Sequence, residues 1–150
     1  MLAEEELRQA EKILADYLKR KRLRRTQERF KLLEVAYAQP SHFSADDLLA
    51  LAASEFHVSR ATVYNTLELL VDCRLLVKHQ FDAQRTEYEK ITSSATHHHR
   101  ICLGCGAVSE FTDQKIRRAV QYRHFSAFEP THYTLYLYGY CKSCAKKLKK

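Results

Sequence analysis

Four of the five cysteines fall into two pairs with the same spacing, and these pairs restrict the possible folds more than any other feature. They are Cys102-Leu-Gly-Cys105 and Cys141-Lys-Ser-Cys144. Two thiolates three residues apart on a tight turn converge on one metal ion, and two such turns complete a closed tetrahedral shell, which is typical of structural zinc. The regular spacing favours this interpretation over four unrelated buried thiols. We therefore predict a structural Zn²⁺ held by Cys102, Cys105, Cys141 and Cys144.

The two cysteine pairs are too far apart for a small zinc module. Residues 106–140 lie between them, so a subdomain has to fold there and bring the pairs together. Because the ligation energy of a structural metal becomes folding energy, zinc is expected to stabilise that subdomain directly. The fifth cysteine, Cys73, lies near the end of an apolar helix face and is predicted to be a small core residue.

The composition indicates a globular protein. Of the 150 residues, 45% are hydrophobic and 29% are charged, which suffices for one ordinary core or two small ones. The sequence has no amino-terminal apolar segment with a basic flank, and no run of about 20 apolar residues of the kind that spans a bilayer. We expect a cytoplasmic protein with no membrane partner, whose cysteines are thiols or metal ligands because the cytosol is reducing.

The net charge of +7 suggests a polyanionic partner but does not locate it. Residues 1–90 carry 15 Lys/Arg and 15 Asp/Glu, whereas residues 91–150 carry 10 and 3. Local clustering is more informative, since residues 19–31 contain eight basic side chains and a single acidic one. Such a run is either part of a nucleic-acid surface or simply a solvated face, and both readings stay open at this point.

The first half of the sequence predicts four helices. Apolar residues recur at helical spacing over residues 3–21, and Gln39-Pro40 ends the second helix. Residues able to cap a helix precede the other three: Thr26, Ser44 and Ser59. Asp47 completes a capping box for the third helix, which is expected to run through Phe56. The short gap before the fourth helix is what a helix-turn-helix requires.

Strands dominate the rest of the prediction. Residues 75–81 and 86–89 form a hairpin, the wing of a winged helix. A Ser/Thr-rich hinge at residues 91–96 leads into strands at 97–101, 108–111 and 132–138, with a helix capped by Asp113 and a basic helix at the end. The predicted fold is α+β, with a winged-helix DNA-binding domain that carries an extra N-terminal helix (1–90), the hinge (91–96), and a small α/β dimerisation and metal-binding domain (97–150).

The last of these strands has two different faces. Leu135 and Leu137 point one way, while Tyr136 and Tyr138 point the other. Ordinary sheet packing with one wetter face and a dimer interface are both compatible with this pattern.

The fourth helix is expected to contact double-stranded DNA. Burial of Val63 and Leu67 exposes the residues near its N-terminus, which would face the major groove: Ser59, Arg60, Thr62, Tyr64 and Asn65. Arg24 and Arg25 would meet phosphates and make the affinity depend on salt. Packing at the helix edge is an equally good explanation of Tyr64.

A second group of metal-ligand residues surrounds the first cysteine pair. It consists of His97, His98, His99, Glu89 and Glu110. In a strand, His97 and His99 share one face and His98 lies on the other. Two imidazoles with carboxylates make a nitrogen and oxygen site suited to Fe(II), Mn(II) or Zn(II). Three adjacent histidines are as often surface polar residues.

Several motifs together carry a family resemblance. In order, they are Arg25-Thr-Gln-Glu-Arg29, His42-Phe-Ser-Ala-Asp-Asp-Leu48, Ala61-Thr-Val-Tyr64, Tyr88-Glu89, His97-His-His99, Cys102-Leu-Gly-Cys105-Gly106, Val108-Ser-Glu-Phe111 and Tyr138-Gly-Tyr-Cys141. From about residue 18 to residue 144 the chain resembles the ferric uptake regulator family of metal-responsive repressors. Residues 1–17 lie outside the resemblance, and the sequence assigns them no role.

The resemblance implies a homodimeric, metal-dependent repressor of metal uptake or homeostasis genes that binds a DNA operator and is not an enzyme. It also implies a regulatory metal site at the hinge, which this sequence matches with His42, Glu89, His97, His99 and Glu110. The sensed ion would be Fe²⁺ in the cell, or Zn²⁺ or Mn²⁺. The alternatives are a zinc-responsive regulator, a winged-helix DNA binder that senses nothing, and, in another class, a zinc-dependent hydrolase.

Three departures from the family pattern bear on this expectation. Asn65 replaces the usual arginine of the recognition helix, and asparagine can pair with adenine where arginine prefers guanine. Arg74 replaces a glycine at the end of that helix, so the turn into the wing is open. A further metal site of some members is expected to be lost, because non-ligand or altered residues stand at its positions: Thr96, His98, Arg117 and Tyr133.

Overall fold

The computed structural model describes residues 1–94 and 97–149, and for residues 93 and 94 only the backbone. Contacts divide the chain into two compact units, residues 1–91 and residues 92 onward. The predicted hinge residues 95 and 96, and therefore Thr96, lie outside the described residues. No helix in the described part of the chain combines the length and the apolar character needed to cross a membrane.

The first unit contains four helices followed by a hairpin. The elements are α1 (Leu2–Lys21), α2 (Gln27–Tyr37), α3 (Ala45–Ala53), α4 (Arg60–Asp72), β1 (Leu76–Gln80) and β2 (Thr86–Lys90). A single hydrophobic core joins the helices to the hairpin, with Leu14, Leu33, Leu48 and Leu67 fully buried. The predicted helix-turn-helix and wing are therefore confirmed as elements of the fold.

The N-terminal helix α1 is part of this core. Ala10, Leu14 and Leu18 follow the helical repeat and are buried. On the same helix, Glu6 forms an ion pair of 3.0 Å with Nζ of Lys90 at the end of β2. The residues outside the family motifs thus pack onto the helix-turn-helix and onto the wing strand that carries Glu89.

Side-chain caps set the start of the two helices of the helix-turn-helix motif. The N–H of Asp47 donates to Oγ of Ser44 at 3.1 Å, and the N–H of Ser44 donates back to Asp47 at 2.9 Å. Oγ of Ser59 accepts from the N–H of Thr62 at 3.1 Å. The predicted caps Ser44 and Ser59 are confirmed, whereas Thr26 stands at the N-cap of α2 without a side-chain hydrogen bond to the helix.

The predicted extension of α3 through Phe56 was wrong. The helix ends at Ala53, and the hydroxyl of Ser54 donates to the carbonyl of Leu51 at 2.7 Å in the turn that follows. Phe56 still packs against the core. A partly buried apolar residue in the turn therefore continues the apolar spacing of the helix in the sequence, although the helix itself has ended.

Arg74 occupies the left-handed position that a glycine usually fills. Its φ is 64°, and the next N–H, that of Leu75, donates to the carbonyl of Leu70 at 2.9 Å. This is the hydrogen bond of a Schellman ending, in which the left-handed residue reverses the chain and closes the helix. The chain therefore turns into the wing through a Schellman ending in which a residue other than glycine takes the left-handed conformation.

We expect Arg74→Gly to be more stable than Arg74→Ala by about 1 kcal/mol, because a Cβ in the left-handed region costs about 1–2 kcal/mol and glycine loses part of this advantage in the flexible unfolded chain. Both variants remove the arginine side chain, so the difference between their free energies of unfolding reports the cost of the left-handed backbone conformation alone. Urea unfolding measures it. Equal stability of the two variants would show that this turn stores no strain.

The second unit is built on a three-stranded sheet. After a single helical turn, α5 (Ile91–Ser94), come β3 (His98–Cys102), β4 (Val108–Phe111), α6 (Gln114–Gln121), β5 (Tyr136–Gly139) and α7 (Lys142–Leu148). The strand order is β4-β3-β5, with β4 antiparallel and β5 parallel to β3. Oδ1 of Asp113 caps α6, as predicted, by accepting from the N–H of Ile116 at 3.0 Å.

The last strand is shorter than predicted. Residues 132–135 were expected in it, but β5 begins at Tyr136. Its first paired position faces His99, near the start of β3, and of the residues before it Leu135 still accepts a hydrogen bond from the N–H of His99 at 3.1 Å. The predicted alternation holds within β5, where the rings of Tyr136 and Tyr138 lie 6.4 Å apart on one face.

Candidate metal centres and nucleic-acid interface

The four paired cysteines meet at one point of the second unit. Their sulfur atoms all lie within 4.8 Å of one another, and the sulfurs of Cys105 and Cys141 are 4.0 Å apart. Four thiolates around a tetrahedral zinc ion, each about 2.3 Å from the metal, are about 3.8 Å apart. The chemistry and the spacing of this cluster therefore fit structural zinc.

The backbone brings the two cysteine turns together. The N–H of Leu103 donates to the carbonyl of Gly139 at 2.7 Å, which ties the first turn to the end of β5. Gly104 lies so close to the second turn that an added Cβ would be 2.7 Å from Sγ of Cys144. Only a residue without a side chain allows this approach.

Without a metal, the thiols of this cluster cannot all ionise. The pKa of Cys102 falls to about 6, chiefly because the N–H of Cys141 donates to its sulfur at 3.3 Å. The pKa of Cys144 rises to about 12, because its thiol is held by hydrogen bonds with Cys141 and Cys102. Thiolates this close to one another need a cation, which zinc would supply.

Within the first unit, His42 and Glu89 lie side by side. Phe43 forms an isolated β-bridge with Tyr88 on the wing, and this places the residue before Phe43 next to the residue after Tyr88. Nε2 of His42 is 3.3 Å from Oε2 of Glu89. On the other side of the ring, Nδ1 of His42 is 3.7 Å from Oε2 of Glu87.

The carboxylate of Glu89 is buried yet ionised. Only 2% of its side chain is exposed. Burial acts to raise its pKa, but hydrogen bonds with His42 and His79 outweigh that effect and lower the pKa to about 2. At neutral pH the wing therefore presents an anionic oxygen beside an imidazole, and both are ligands that divalent transition metals accept.

Within the second unit, His97, His99 and Glu110 form another group of donors. The rings of His97 and His99 are 4.9 Å apart, as expected for residues on one face of a strand. Glu110 is paired with His99 across β3 and β4, and its Oε1 is 3.7 Å from Nε2 of His97. The second unit thus brings two imidazoles and one carboxylate together.

His98 lies on the opposite face of β3, as its position in the strand predicts. Its Nε2 is 2.9 Å from the hydroxyl of Tyr133, and its ring packs 5.2 Å from that of Phe111. The His98 side chain thus contacts the hydroxyl of Tyr133 and the ring of Phe111. Neither is a ligand that a divalent metal site of histidines and carboxylates would use.

Several predicted DNA-contacting residues lie on one concave surface of the first unit. A cleft of about 490 Å³ is lined by Arg24, Ser59, Thr62 and Asn65, together with Arg29 and His57. Ser59 and Asn65 are exposed, whereas Thr62 is half-buried because its hydroxyl lies 2.9 Å from that of Ser59 in the helix cap. Val63 and Leu67 are fully buried, as predicted.

The other predicted DNA residues have protein partners. Arg60 pairs with the carboxylate of Asp46, which raises the pKa of the guanidinium. The guanidinium of Arg25 lies 4.4 Å above the ring of Phe30. Tyr64 is 44% exposed and borders a different hollow, next to the wing.

Sequence reasoning missed His79, Arg29 and His57. His79 is fully buried and contacts Glu89. The strand alternation offered a signal, because the hairpin register sets His79 opposite Glu87 and thus on the face that carries Glu89. Arg29 belongs to the basic run, whereas nothing in the sequence singled out His57.

A helix-turn-helix with a wing, followed by a unit that gathers four cysteines and further histidine and carboxylate ligands, is the architecture of metal-responsive winged-helix transcription factors. Comparison with known proteins identifies the family within this class. The sequence profile of the Ferric uptake regulator family matches residues 20–138. The Ferric uptake regulation protein of Escherichia coli (strain K12) is 36% identical over 129 residues, covering 83% of this chain and 85% of that protein.

Solved structures give the same result. The ferric uptake regulator from Pseudomonas aeruginosa with manganese matches with a TM-score of 0.68 and 32% identity, over 85% of this chain and 97% of that one. A zinc uptake regulator complexed with zinc and DNA matches with a TM-score of 0.53 and 25% identity, over 100% of this chain and 99% of that one. The chain belongs to the ferric uptake regulator family, which confirms the resemblance found in the sequence.

Proposed function

We propose that this protein is a homodimeric, metal-dependent repressor that binds the operators of metal uptake or homeostasis genes and responds to iron in the cell. One observation carries the proposal: each unit presents histidine and carboxylate donors that are already grouped. His42 and Glu89 form one half of the regulatory site, and His97, His99 and Glu110 form the other. A metal ion bound by both halves would link DNA-reading and metal-sensing parts of the chain.

The two halves are suited to share one ion. Glu89 and His97 are eight positions apart in the sequence, so the chain tethers the two halves to each other. Two or three imidazoles with one or two carboxylates satisfy Fe(II), Mn(II) or Zn(II). The donor set alone does not choose among these metals, and the family's iron regulators support Fe²⁺ as the metal sensed in the cell.

Metal binding would change DNA affinity through the angle between the units. An ion held by both units favours one arrangement over the others, and in a dimer that arrangement fixes the separation of the two recognition helices. Metal and operator then strengthen each other's binding reciprocally, with a coupling of about 1–3 kcal/mol.

The fourth helix and the cleft beside it, which is lined by Arg24, Arg29 and Glu28, would form the DNA surface. Asn65 and Tyr64 are exposed for base contact in the major groove, while Arg24 and Arg25 would bind phosphates. Arg60 would exchange its pairing with Asp46 for a phosphate, because the ion pair is exposed and such pairs are weak.

The second unit would form the dimer. In the described residues β5 is an edge strand of the sheet, with no strand on its outer side. Leu137 and Tyr138 on this strand and the nearby Tyr140 are about half exposed. An exposed strand edge with large apolar side chains is suited to pairing with the same strand of a second copy.

The zinc hydrolase alternative has weaker support. It requires a metal with an open coordination position next to a substrate pocket. The metal of such an enzyme would be held by His97, His99 and Glu110, and the proposed sharing of that ion with His42 and Glu89 would leave no open position for a reactive water. The sequence also contains no nucleophile motif. A zinc-responsive regulator and a DNA binder that senses nothing both keep the same fold, so DNA binding with defined metals has to discriminate them.

The test is operator binding by the zinc-loaded dimer with no added metal, Fe(II), Mn(II) or extra Zn(II), at one fixed salt concentration. The operator is first selected from a random duplex pool with manganese-loaded protein. Fe(II) and Mn(II) are expected to tighten binding about 5–150-fold, the range that a coupling of 1–3 kcal/mol produces. Anaerobic handling keeps the iron divalent.

The other outcomes are equally informative. Tightening with Zn(II) but not with Fe(II) or Mn(II) identifies a zinc-responsive regulator. Equal affinity under all conditions identifies a DNA binder without a sensor and contradicts the proposal. A duplex of scrambled sequence is the control, because phosphate contacts bind any sequence to some degree.

A further inference from the structure

His79 is a fully buried histidine that none of the expected ligand sets includes. It lies on β1 with no exposed surface. Its ring stacks on that of Phe81, with centroids 5.3 Å apart and an angle of 8° between the planes. A polar ring in such a place costs free energy unless its nitrogen atoms find partners, whereas a leucine would fill the same space without that cost.

The contact that explains this histidine is with Glu89. Nε2 of His79 is 2.5 Å from Oε1 of Glu89. An ionised carboxylate only accepts hydrogen bonds, so Nε2 carries the proton and donates it. The other oxygen of the same carboxylate, Oε2, faces Nε2 of His42 at 3.3 Å. The two oxygens of Glu89 are therefore divided between two imidazoles.

We propose that His79 is a positioning residue of the regulatory metal site: by holding Oε1 of Glu89 it fixes the carboxylate so that Oε2 is the oxygen that binds the ion. This inference rests on the proposed function, because it assumes that Glu89 and His42 are ligands. The hydrogen bond also keeps the carboxylate monodentate. Such a ligand suits transition metals bound by imidazoles better than Ca²⁺, which favours more oxygen ligands and often takes both from one carboxylate.

The same arrangement orients His42. Its Nδ1 faces Glu87, whose position opposite His79 in the hairpin brings both residues to one face of the wing. A carboxylate near one ring nitrogen favours the tautomer in which the other nitrogen carries no proton and can coordinate a metal. Wing residues on β1 and β2 thus fix the orientation of both proposed ligands of the first unit.

The experiment titrates Co²⁺ into the zinc-loaded full-length protein, follows the visible absorption of bound Co²⁺, and measures the melting temperature without Co²⁺. Four variants are compared with the unmodified chain. His79→Phe keeps the stacked ring but removes the donor, and His79→Gln keeps an N–H donor at a similar reach. Glu89→Ala removes the ligand, and Phe81→Leu disturbs the packing while leaving the hydrogen bond.

We expect His79→Phe to weaken Co²⁺ binding about 10–100-fold, the range typical of losing a partner of a metal ligand. His79→Gln should restore most of the affinity. Phe81→Leu should lower the melting temperature with little change in Co²⁺ affinity, which separates positioning from packing. The absorption bands of the His79→Phe complex should match those of the unmodified complex, because the ligands are the same.

Three results would overturn the inference. Unchanged Co²⁺ affinity in His79→Phe reduces His79 to a packing residue while leaving the proposed function intact. Altered absorption bands with a loss as large as that of Glu89→Ala would make His79 a ligand. If the unmodified chain binds no Co²⁺ beyond the zinc site, the positioning role and the proposed regulatory site fail together.

Discussion

Replacing Cys102 by serine should remove zinc from the protein and leave the second unit unfolded. Within the described part of that unit, the buried residues are few: His98, His99, Ile101 and Cys102. Neither α6 nor α7 buries a residue. Structural zinc supplies about 10–16 kcal/mol of binding free energy in small zinc modules, far more than a core of this size. Zinc content and circular dichroism during heating measure the effect.

The matched control for this substitution is Cys73→Ala. Cys73 is a buried cysteine of the first unit, where burial raises its pKa to about 11, and it belongs to no metal cluster among the described residues. This variant should keep one zinc per chain and both units folded. A Cys102→Ser protein that retains its zinc and unfolds like the unmodified chain would show that the cluster is not what stabilises the second unit.

Replacing His42 by alanine should abolish the effect of metal on DNA binding. His42 is the imidazole ligand that we propose for the first unit, so without it the ion would no longer hold the two units in one arrangement. Operator affinity with Mn(II) should drop to the metal-free value, a loss of about 5–150-fold. Affinity without Mn(II) and zinc content should stay as they were, since the substitution touches neither the recognition helix nor the cysteines. Fluorescence anisotropy with a labelled operator measures both affinities.

His124→Ala serves as the control for loss of a histidine. This residue is exposed in the second unit and belongs to neither group of ligands. Its variant should respond to Mn(II) like the unmodified chain. If the His42→Ala protein also keeps the full response, then any sensing site lies in the second unit alone and the linkage between units is wrong.

Local signals in the sequence predicted much of the fold. The capping residues Ser44, Ser59 and Asp113 were identified correctly, because a short polar side chain directly before an apolar helical repeat is typical of a helix N-cap. The pairing of the cysteines was equally clear from spacing alone. The ends of α3 and β5 were not, because Phe56 packs against the core from within a turn and β5 needs β3 beside it. Both ends depend on contacts with residues distant in the sequence, and a short stretch of sequence does not show those contacts.

The metal ligands were only partly predictable. The shared face of His97 and His99 follows from the strand alternation, whereas Glu110 was singled out only because it lies near the first cysteine pair in the sequence. His42 came from the family resemblance, because its approach to Glu89 depends on the bridge between Phe43 and Tyr88. His79 was missed for a related reason. Its importance appears only when the hairpin register and the burial of Glu89 are known together.

The central claim is that one ion is bound by ligands from both units. The most direct measurement is X-ray diffraction, near the manganese absorption edge, from crystals of the zinc-loaded protein with Mn(II). We predict one manganese ion per chain, bonded to His42 and Glu89 as well as to His97 and His99. A manganese ion bound by residues of one unit only, or two separate manganese ions, would contradict it.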